Sequence, residues 1–537
     1  MAARLSDAGG ALGIEYVSDL AAFVAKEELQ HPRWVWDDTN TWYPELLAAG
    51  IRVERCFDLR LCHAILRSSS LTADSALATA PQGVWDAPAR ATATAEPSGA
   101  LFDLEVEPEP VTAVADPLAE FSLQRAAVAA TAEPGRISRL LAAESAGALI
   151  AAEMRFAGLP WRADAHDALL EQILGPRPVD GARPSKLQEI LDVVRDRLES
   201  PDLNPDSPAD LLRALGVAGL QVTSTRSWEL KQLKHPAIAP LLEYKKLARL
   251  LSANGWHWLD TWVVDGRFRP DYVPGGVVTG RWATSGGGAL QLPKQVRGAV
   301  IADDGWKLVV ADASQLEPRI LAALAADRGM VEAGAAGDLY AGIVASGAVE
   351  TRDQAKVAML GAMYGATTGE SGRLMPRLER AYPRAIAMVE EAARAGERGE
   401  VVTTRLGRSS PPGQRFEGWS EARSEAETSR ARERSRSWGR FTRNFIVQGT
   451  AAEWALCWMA SIRRRLRELD GRWFTDAPHL VFFLHDEVVV HTPAVLAEPV
   501  RAIIADAAAE AGRLLFGELP VTFPLTIAIV DNYGEAK

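Results

Sequence analysis

The sequence predicts a multidomain α+β protein, and three observations support this prediction. At 537 residues the chain is long enough for several domains. Apolar residues recur with a helical period in SKLQEILDVVRDRLES (185–200) and in PAIAPLLEYKKLARLLSANG (236–255), which ends on a glycine. From about residue 256 onward, β-rich apolar runs appear among the helices. We therefore expect helical parts combined with at least one sheet.

A change in composition separates the first 70 residues from the rest of the chain. Residues 71–117 are rich in Ala, Thr, Pro and Glu and show weak periodicity. This composition is typical of a flexible linker or a long surface insertion. We therefore expect a small N-terminal part that this stretch joins to the larger remainder.

Charge, cysteine content and apolar runs indicate the cellular compartment in which we expect the protein. The net charge of −11 argues against a simple nucleic-acid coat, although it says little about any single groove. Cys56, Cys62 and Cys457 form no disulfide framework, which favours a reducing cytosol. No apolar run approaches the ~18 residues of a membrane span, and the start lacks a signal-peptide core. The expectation is a cytoplasmic protein without a membrane partner.

The stretch VVADASQLEPRILAALAAD (309–327) begins as a strand and continues as a helix. Ser314 and Glu317 have the S-x-x-E spacing of a capping box, which predicts that they close the start of the helix. This interpretation does not explain Asp312. An ionised carboxylate at the end of an apolar strand is costly unless it is paired or bound to a metal.

A second acidic site is predicted in HLVFFLHDEVVVHT (479–492). Its two apolar runs indicate a hairpin, with Asp486 and Glu487 as an acidic pair at the tight turn. An ordinary polar turn is the alternative. Because Asp312 and Asp486 each follow an apolar strand, we expect them to share a magnesium site on one sheet. Mg²⁺ prefers one or two carboxylates plus substrate phosphates, and two such ions promote phosphoryl transfer.

A third stretch, RDQAKVAMLGAMYGATTG (352–369), supplies positive charge. Arg352, Lys356, Leu360 and Tyr364 are four residues apart, which predicts a stripe along one helix face. Two cations one turn apart suit an anion, and an aromatic ring further along could stack on a base. The alternative is a solvated charged face.

Together with two further segments, these stretches resemble the family A DNA polymerases. DASQLEPR and HDE resemble the two carboxylate motifs of that family, and RDQAKVAMLGAMYG resembles its fingers helix. TGRWATSGGGALQLP (279–293) resembles the segment that holds the primer–template, and RFTRNFIVQGTAAEWA (440–455) resembles the N-x-x-x-Q-G-T-A segment. All five occur in the family's order, and the resemblance covers roughly residues 140–537.

The resemblance implies a DNA-templated DNA polymerase that extends a primer with dNTPs. Asp312 and Asp486 would hold two Mg²⁺ ions, for which Mn²⁺ is a possible substitute, and Glu487 would support them. Lys356 would also protonate the leaving pyrophosphate. The remaining implied roles fall into two groups. Nucleotide binding is implied for Arg352, Lys356, Leu360, Tyr364, Glu317 and Gln315, and primer–template binding for Arg281, Gln291, Arg440, Asn444, Gln448 and His485.

The implied fold is a right-hand polymerase acting as a monomer, with a palm of antiparallel strands, helical fingers and a helical thumb. A truncated exonuclease-like domain precedes it. The expected ranges are 1–70 for the exonuclease-like remnant, 71–117 for the linker, 118–159 for a connection, 160–255 for the thumb, 256–330 and 431–537 for the palm, and 331–430 for the fingers.

The first 135 residues are expected to have lost proofreading. The strand with the first D-x-E pair of the exonuclease is missing, and Trp42 stands where the second motif has an aspartate. The third motif offers only Glu120. A site with so few carboxylates cannot hold two metal ions. A bifunctional enzyme that recruits Asp37, Asp38 or Glu120 is the alternative.

Some residues depart from the family pattern or have a second interpretation. Leu360 replaces an aromatic residue, Tyr340 stands where a histidine is common, and Ala313 and Pro318 also differ. These changes concern nucleotide selectivity. Thr450 and Glu453 have the T-x-x-E spacing of another helix start. Two other classes remain open: a non-catalytic DNA-binding protein and a single-subunit RNA polymerase, the latter disfavoured by Glu317.

Overall fold

The computed structural model describes residues 2–5, 10–87, 115–179, 181–366, 369–413 and 425–536. The chain forms two compact units. The first comprises Met1–Ala157, Pro270–Leu290 and Gly305–Ile529, and the second comprises Gly158–Arg269, Gln291–Asp304 and Val530–Lys537. None of the described helices has the length and apolar character that crossing a membrane requires.

The N-terminal part of the first unit alternates short strands with helices. Asp19, Asp38 and Asp58 cap three of these helices by accepting backbone N–H groups, which explains where the helices begin. The elements are β1 (Ala2–Leu5), β2 (Ala11–Glu15), α1 (Leu20–Glu28), β3 (Trp34–Trp36), α2 (Thr39–Ala48), β4 (Cys56–Asp58), α3 (Leu59–Ser68), α4 (Ala76–Thr79), α5 (Pro117–Ala130) and α6 (Pro134–Ala157).

The stretch expected to be a linker is folded in its first third. Residues 71–87 are described and include α4, whose Leu77 is buried, and Thr72 is buried as well. Residues 71–87 therefore have local structure, whereas the assignment of 71–117 to a linker or a surface insertion stays a prediction. Residues 88–114 of the expected linker lie outside the described residues.

The N-terminal part packs on the rest of the first unit. Its core joins side chains of α1, α2 and β4 to Leu149 of α6 and to Phe474. At this contact Glu153 of α6 is buried and accepts hydrogen bonds from Tyr43 at 2.6 Å and from Arg463 at 3.0 Å. The two nearby guanidiniums, of Arg463 and Arg52, outweigh burial and lower the pKa of Glu153. Removing one partner of such a buried pair would leave the other charge uncompensated.

The second unit is mainly helical. Its helical core is formed by apolar side chains such as Val194, Leu211 and Leu241. The 160–255 range expected to be the thumb falls wholly within this unit, whereas the first expected palm range, 256–330, is divided between the two units. The elements are β5 (Leu159–Pro160), α7 (Ala163–Leu174), α8 (Ser185–Arg197), α9 (Pro208–Val217), α10 (Ser227–Leu230), α11 (Ile238–Asn254), α12 (Trp256–Trp262), β6 (Val263–Val264) and β7 (Arg267–Phe268).

The remainder of the first unit contains a four-stranded sheet and a set of helices. The predicted helices and sheet are present. The elements are β8 (Asp271–Val273), β9 (Ala283–Gly286), β10 (Trp306–Ala313), α13 (Leu316–Ala325), α14 (Arg328–Gly334), α15 (Leu339–Ala345), α16 (Arg352–Tyr364), α17 (Gly369–Ala381), α18 (Pro383–Glu397), α19 (Glu425–Leu469), β11 (His479–Leu484), β12 (Glu487–Pro493), α20 (Ala497–Phe516) and β13 (Leu525–Val530).

The four-stranded sheet positions the acidic residues. Its strand order is β11-β12-β10-β13, and β12 pairs antiparallel with both β11 and β10. Val309, Val310 and Val488–Val490 are buried, as expected for a sheet covered on both faces. The end of β10 that carries Asp312 and the turn of the β11–β12 hairpin therefore lie at the same end of the sheet.

Candidate active site

Asp312 and Asp486 lie on adjacent backbones. In the β10–β12 pair, Asp312 is opposite Glu487, and the N–H of Ala313 donates to the carbonyl oxygen of Asp486 at 2.9 Å. The predicted hairpin is confirmed, with a two-residue turn in which His485 has a left-handed φ of 59°. Only Asp486 of the acidic pair is in this turn. Glu487 is instead the buried first residue of β12.

These two carboxylates fit a magnesium ion by their chemistry. Oxygen is the ligand that Mg²⁺ prefers, and one or two carboxylates suffice when substrate phosphates complete its coordination. Within the described ranges, no three His, Cys, Asp or Glu side chains are grouped as a metal site. The two carboxylates come from neighbouring, hydrogen-bonded backbone segments at one end of the sheet.

Glu317 links two other predicted site residues. Its carboxylate accepts hydrogen bonds from Arg281 at 2.5 Å and from Tyr364 at 3.0 Å. The capping-box prediction is wrong, because α13 begins one residue later, with Gln315 at the cap and without a capping side chain. Ser314 lies 3.2 Å from Thr526, measured between hydroxyl oxygens. Glu317 is thus available for contacts with other segments of the chain.

The environment of Glu317 changes the proton affinity of its neighbours. Burial and the Glu317 carboxylate raise the pKa of Tyr364 to about 12, while a hydrogen bond with Gln448 of α19 opposes this shift. Burial and the Arg281 charge lower the pKa of His485. Tyr364 is therefore a neutral hydrogen-bond donor at neutral pH, and His485 favours its uncharged form.

A small cavity lies beside this cluster. Its volume is about 70 Å³, and Arg281, Glu317, His485 and Asp486 contribute to its polar lining. Ala451 and other small or apolar residues of α19 also line it. The cavity therefore joins one of the two carboxylates to the residues expected to contact the sugar and the primer–template.

The stripe predicted on α16 is present. Arg352, Lys356, Leu360 and Tyr364 are all exposed, whereas Ala355, Ala358, Met359, Ala362 and Met363 are buried. The buried face explains the helix, because its small apolar residues pack on the rest of the unit. Two cations and two apolar or aromatic groups are consequently presented along one face.

Arg352 is held by a residue that the sequence analysis did not single out. Asp338 caps α15 and accepts hydrogen bonds from Arg352 at 2.8 Å and from Gln315 at 2.7 Å. Although burial acts to raise it, these bonds lower the pKa of Asp338 to about 2. Arg352 also lies over the ring of Tyr340 at 5.5 Å. A helix-capping aspartate before LYAG was the available sequence signal.

Three of the predicted primer–template residues follow one another on α19. Arg440, Asn444 and Gln448 are spaced by four, so they share a face of this 45-residue helix. Arg440 packs against Gly365 at the end of α16, where a Cβ would come within 2.8 Å of its Cγ. Gln291 belongs to the second unit.

The predicted helix start at Thr450 and Glu453 is wrong. Both residues are buried in the interior of α19, where they bind the segment that follows α18. The Thr450 hydroxyl accepts from the N–H of Arg405 at 3.1 Å, and Glu453 accepts from the N–H of Leu406 at 2.8 Å. Burial raises the pKa of Glu453 to about 7, against the hydrogen bonds that it accepts. These side chains cap a distant loop instead of their own helix.

The sequence profile of DNA polymerase family A matches residues 185–535. This chain belongs to DNA polymerase family A. It is 27% identical over 395 residues to DNA polymerase I of Chloroflexus aurantiacus, covering 70% of this chain and 39% of that protein. It is 26% identical over 343 residues to the thermostable DNA polymerase I of Thermus aquaticus, covering 58% of this chain and 38% of the relative. The chain thus spans about two fifths of the length of these relatives.

A solved structure supports the right-hand fold expected for the family. It is the POL domain of Pol1 from M. smegmatis in complex with DNA primer-template and dNTP. The TM-score is 0.68 at 18% identity, and the match covers 96% of this chain and 88% of that one. The combination of sheet and helices predicted from the sequence is therefore confirmed as a family A polymerase fold.

In this family A chain, each carboxylate considered for an exonuclease site is hydrogen-bonded to another group of the N-terminal part. Asp37 accepts a hydrogen bond from the indole of Trp42 at 2.6 Å, and Asp38 caps α2. Glu120 is buried and lies 2.8 Å from the Nδ1 atom of His63. Each carboxylate therefore has a local structural partner.

Proposed function

We propose that this chain is a DNA-templated DNA polymerase that adds dNTPs to the 3′ end of a primer. The observation that carries the proposal is the pair Asp312 and Asp486 on hydrogen-bonded backbones beside the Glu317 cluster. An acidic pair facing a polyphosphate has a use in catalysis, whereas binding DNA alone requires none. Family membership supports the same reaction.

We assign the metal sites to Asp312 and Asp486, with Glu487 as a buried acidic neighbour. Two Mg²⁺ ions, or Mn²⁺ in their place, would activate the primer 3′ oxygen and stabilise the leaving oxygen when bound. The role of the protein is to present both carboxylates from one rigid sheet edge.

Binding of the incoming nucleotide is assigned to the exposed stripe of α16. Arg352 and Lys356 neutralise the triphosphate, and Lys356 donates a proton to the departing pyrophosphate. Leu360 and Tyr364 cover the sugar and the base pair. Glu317 lies below the sugar and disfavours a 2′-hydroxyl, while Gln315 orients Asp338 and thereby Arg352.

Primer–template binding is assigned to Arg281, Gln291, Arg440, Asn444, Gln448 and His485. Basic and amide side chains are suitable partners for phosphates and for base edges in the minor groove. We further propose that the chain acts as a monomer in the bacterial cytoplasm, in replication or repair. Its bacterial relatives and its three free, buried cysteines agree with that location.

Proofreading is proposed to be lost. Asp37, Asp38 and Glu120 each have a structural partner, and Trp42 occupies the position expected for an aspartate. The N-terminal segment then serves a structural purpose.

A primer-extension assay tests the polymerase assignment. A labelled primer on a longer template is incubated with Mg²⁺ and with dNTPs, rNTPs or no nucleotide. We expect extension in the reaction with dNTPs and none in the reactions with rNTPs or without nucleotide. Equal extension with rNTPs would favour an RNA polymerase, and binding without extension would favour a non-catalytic DNA-binding protein.

A further inference from the structure

The backbone immediately before Arg281 lies against a buried guanidinium. Gly280 has a φ of +86°, and a Cβ built on it would come within 2.9 Å of Cζ of Arg408. Both the positive φ and this close approach require glycine. Because only 11% of the Arg408 side chain is exposed, its guanidinium has little freedom to move away. The position of Arg281 is thus coupled to that of Arg408.

Arg408 is oriented by a carboxylate from α6. Glu144 is 1% exposed and binds Nη2 of Arg408 through Oε2 at 2.6 Å. A Cβ built on Gly275 would lie 2.7 Å from the other carboxylate oxygen, Oε1. Glu144 therefore contacts the 270–290 segment directly at Gly275 and indirectly, through Arg408, at Gly280. Removing Glu144 would leave the buried charge of Arg408 uncompensated. We therefore expect the ion pair with Glu144 to hold the Arg408 guanidinium in place.

The loop that carries Arg408 is anchored to the body of the first unit. We name residues 402–410 the support loop. Glu453 and Thr450 of α19 bind its backbone, as described above. From α6, the guanidinium of Arg136 donates to the carbonyl oxygen of Thr404 at 2.8 Å. The support loop is thus fixed to two long helices.

The N-terminal segment also holds the support loop. The hydroxyl of Ser69 donates to the carbonyl oxygen of Gly407 at 2.6 Å. The N–H of Ser70 donates to the hydroxyl of Ser409 at 2.9 Å. These residues directly follow α3, in the part of the chain that resembles an exonuclease. The N-terminal segment can therefore influence the position of Arg281 through the support loop.

We propose that Arg408 is a positioning residue for Arg281, oriented by Glu144 and supported by Ser69 and Ser70. The N-terminal segment thereby acts as a scaffold for primer–template binding. This inference rests on the proposed function of Arg281, but the coupling between Arg408 and the Gly280 backbone is independent of catalysis. Arg408 itself need not touch DNA.

Two measurements on Glu144→Gln test the proposal. Hydrogen–deuterium exchange reports the 277–282 backbone, where the N–H of Gly280 is hydrogen-bonded to Val277. Primer extension separates the KM for primer–template from kcat. We expect exchange in this segment to rise by roughly tenfold, and the KM by roughly tenfold, with kcat changed by less than about twofold.

Glu510→Gln is the control, because Glu510 of α20 is a partly buried partner of arginines of α19 and makes these ion pairs away from the N-terminal segment. It should lower the melting temperature without changing exchange at 277–282 or the KM. Ser69→Ala is a milder variant in case Glu144→Gln does not fold, and we expect a KM increase of roughly threefold.

The outcomes distinguish this proposal from the polymerase assignment. Unchanged exchange at 277–282 in Glu144→Gln, or equal effects of Glu510→Gln, would overturn the positioning role even in an active polymerase. Failure of the wild-type chain to extend a primer would instead overturn the proposed function. The exchange measurement would then still decide whether Arg408 positions this backbone.

Discussion

The hydroxyl of Tyr364 donates a hydrogen bond to the carboxylate of Glu317 at 3.0 Å, joining the last residue of α16 to the first turn of α13. The same carboxylate binds Arg281. A single side chain therefore contacts the ends of the segments assigned to the nucleotide and to the primer–template. A ligand that requires either partner must compete with this cluster.

Replacing Glu317 should relax the choice of sugar. Without the carboxylate, Glu317→Ala leaves space for a 2′-hydroxyl, and we expect the ratio of ribonucleotide to deoxyribonucleotide incorporation to rise at least about tenfold. Single-nucleotide extension measures this ratio. Glu332→Ala removes an exposed carboxylate on α14 and should leave it unchanged. The same ratio in Glu317→Ala as in the wild type would contradict the assignment.

The metal-site assignment predicts that Asp312→Ala and Asp486→Ala each abolish extension while DNA binding survives. The bound ions supply several kcal/mol of transition-state stabilisation, so the loss in rate should be many-fold. Extension assays and fluorescence anisotropy measure the two properties. Asp506→Ala on the exposed face of α20 is the control and should remain active. Near-normal extension by either site variant would refute the assignment.

Leu360 should cause discrimination against chain terminators. An aliphatic side chain has no hydroxyl to replace the missing 3′-OH of a dideoxynucleotide, whereas Leu360→Tyr introduces one. We expect terminator incorporation to increase by up to roughly tenfold, as one gained hydrogen bond allows. Val357→Tyr places the same group on an exposed position of α16 outside the stripe. Equal terminator use by wild type and Leu360→Tyr would argue against the sugar contact.

Loss of proofreading predicts no 3′ degradation. The Asp312→Ala protein, incubated with a 3′-labelled single strand and Mg²⁺ but without nucleotides, should release no mononucleotides. Removing the polymerase carboxylate keeps its own reactions out of the assay. Metal-dependent release would show that Asp37, Asp38 or Glu120 forms a rearranged site, and Asp37→Ala would then identify the contribution of that residue.

His166 should make stability depend on pH. Its Nε2 lies 3.0 Å from the carbonyl oxygen of Asn254, and burial lowers its pKa to about 4. In the unfolded chain this histidine has a pKa near 6.5. The stability that depends on neutral His166 is therefore fully present above pH 6.5 and is lost as the pH falls towards 4. The change is on the order of 3 kcal/mol.

Urea unfolding of the wild type and His166→Gln between pH 4 and 7.5 measures this dependence. Trp161 and Trp258 pack on His166, so unfolding of the second unit contributes to the change in tryptophan fluorescence. The variant should be less stable at neutral pH but should lose less stability on acidification. His257→Gln alters an exposed histidine and should behave as the wild type. Parallel pH profiles for the wild type and His166→Gln would exclude the effect.

The sequence alone determined the elements whose signals are local. Asp312 and Asp486 were predicted as site residues because each follows an apolar run. An ionised carboxylate in such a place is costly unless it is paired or bound to a metal. A spacing of four identified the α16 stripe, because helical geometry fixes which residues share a face. Five ordered motifs then indicated the family. None of these inferences required knowledge of a distant contact.

Only the tertiary structure decided what the ambiguous carboxylates do. Glu317 and Glu453 both have the spacing of a helix cap, yet they bind Arg281 and the support loop. Asp338 orients Arg352, and Glu144 reaches Arg408, 264 residues away. A carboxylate takes the donors that folding brings nearest, and those donors come from other segments. Local spacing therefore shows that a side chain could form a cap, whereas the packed fold selects its partner.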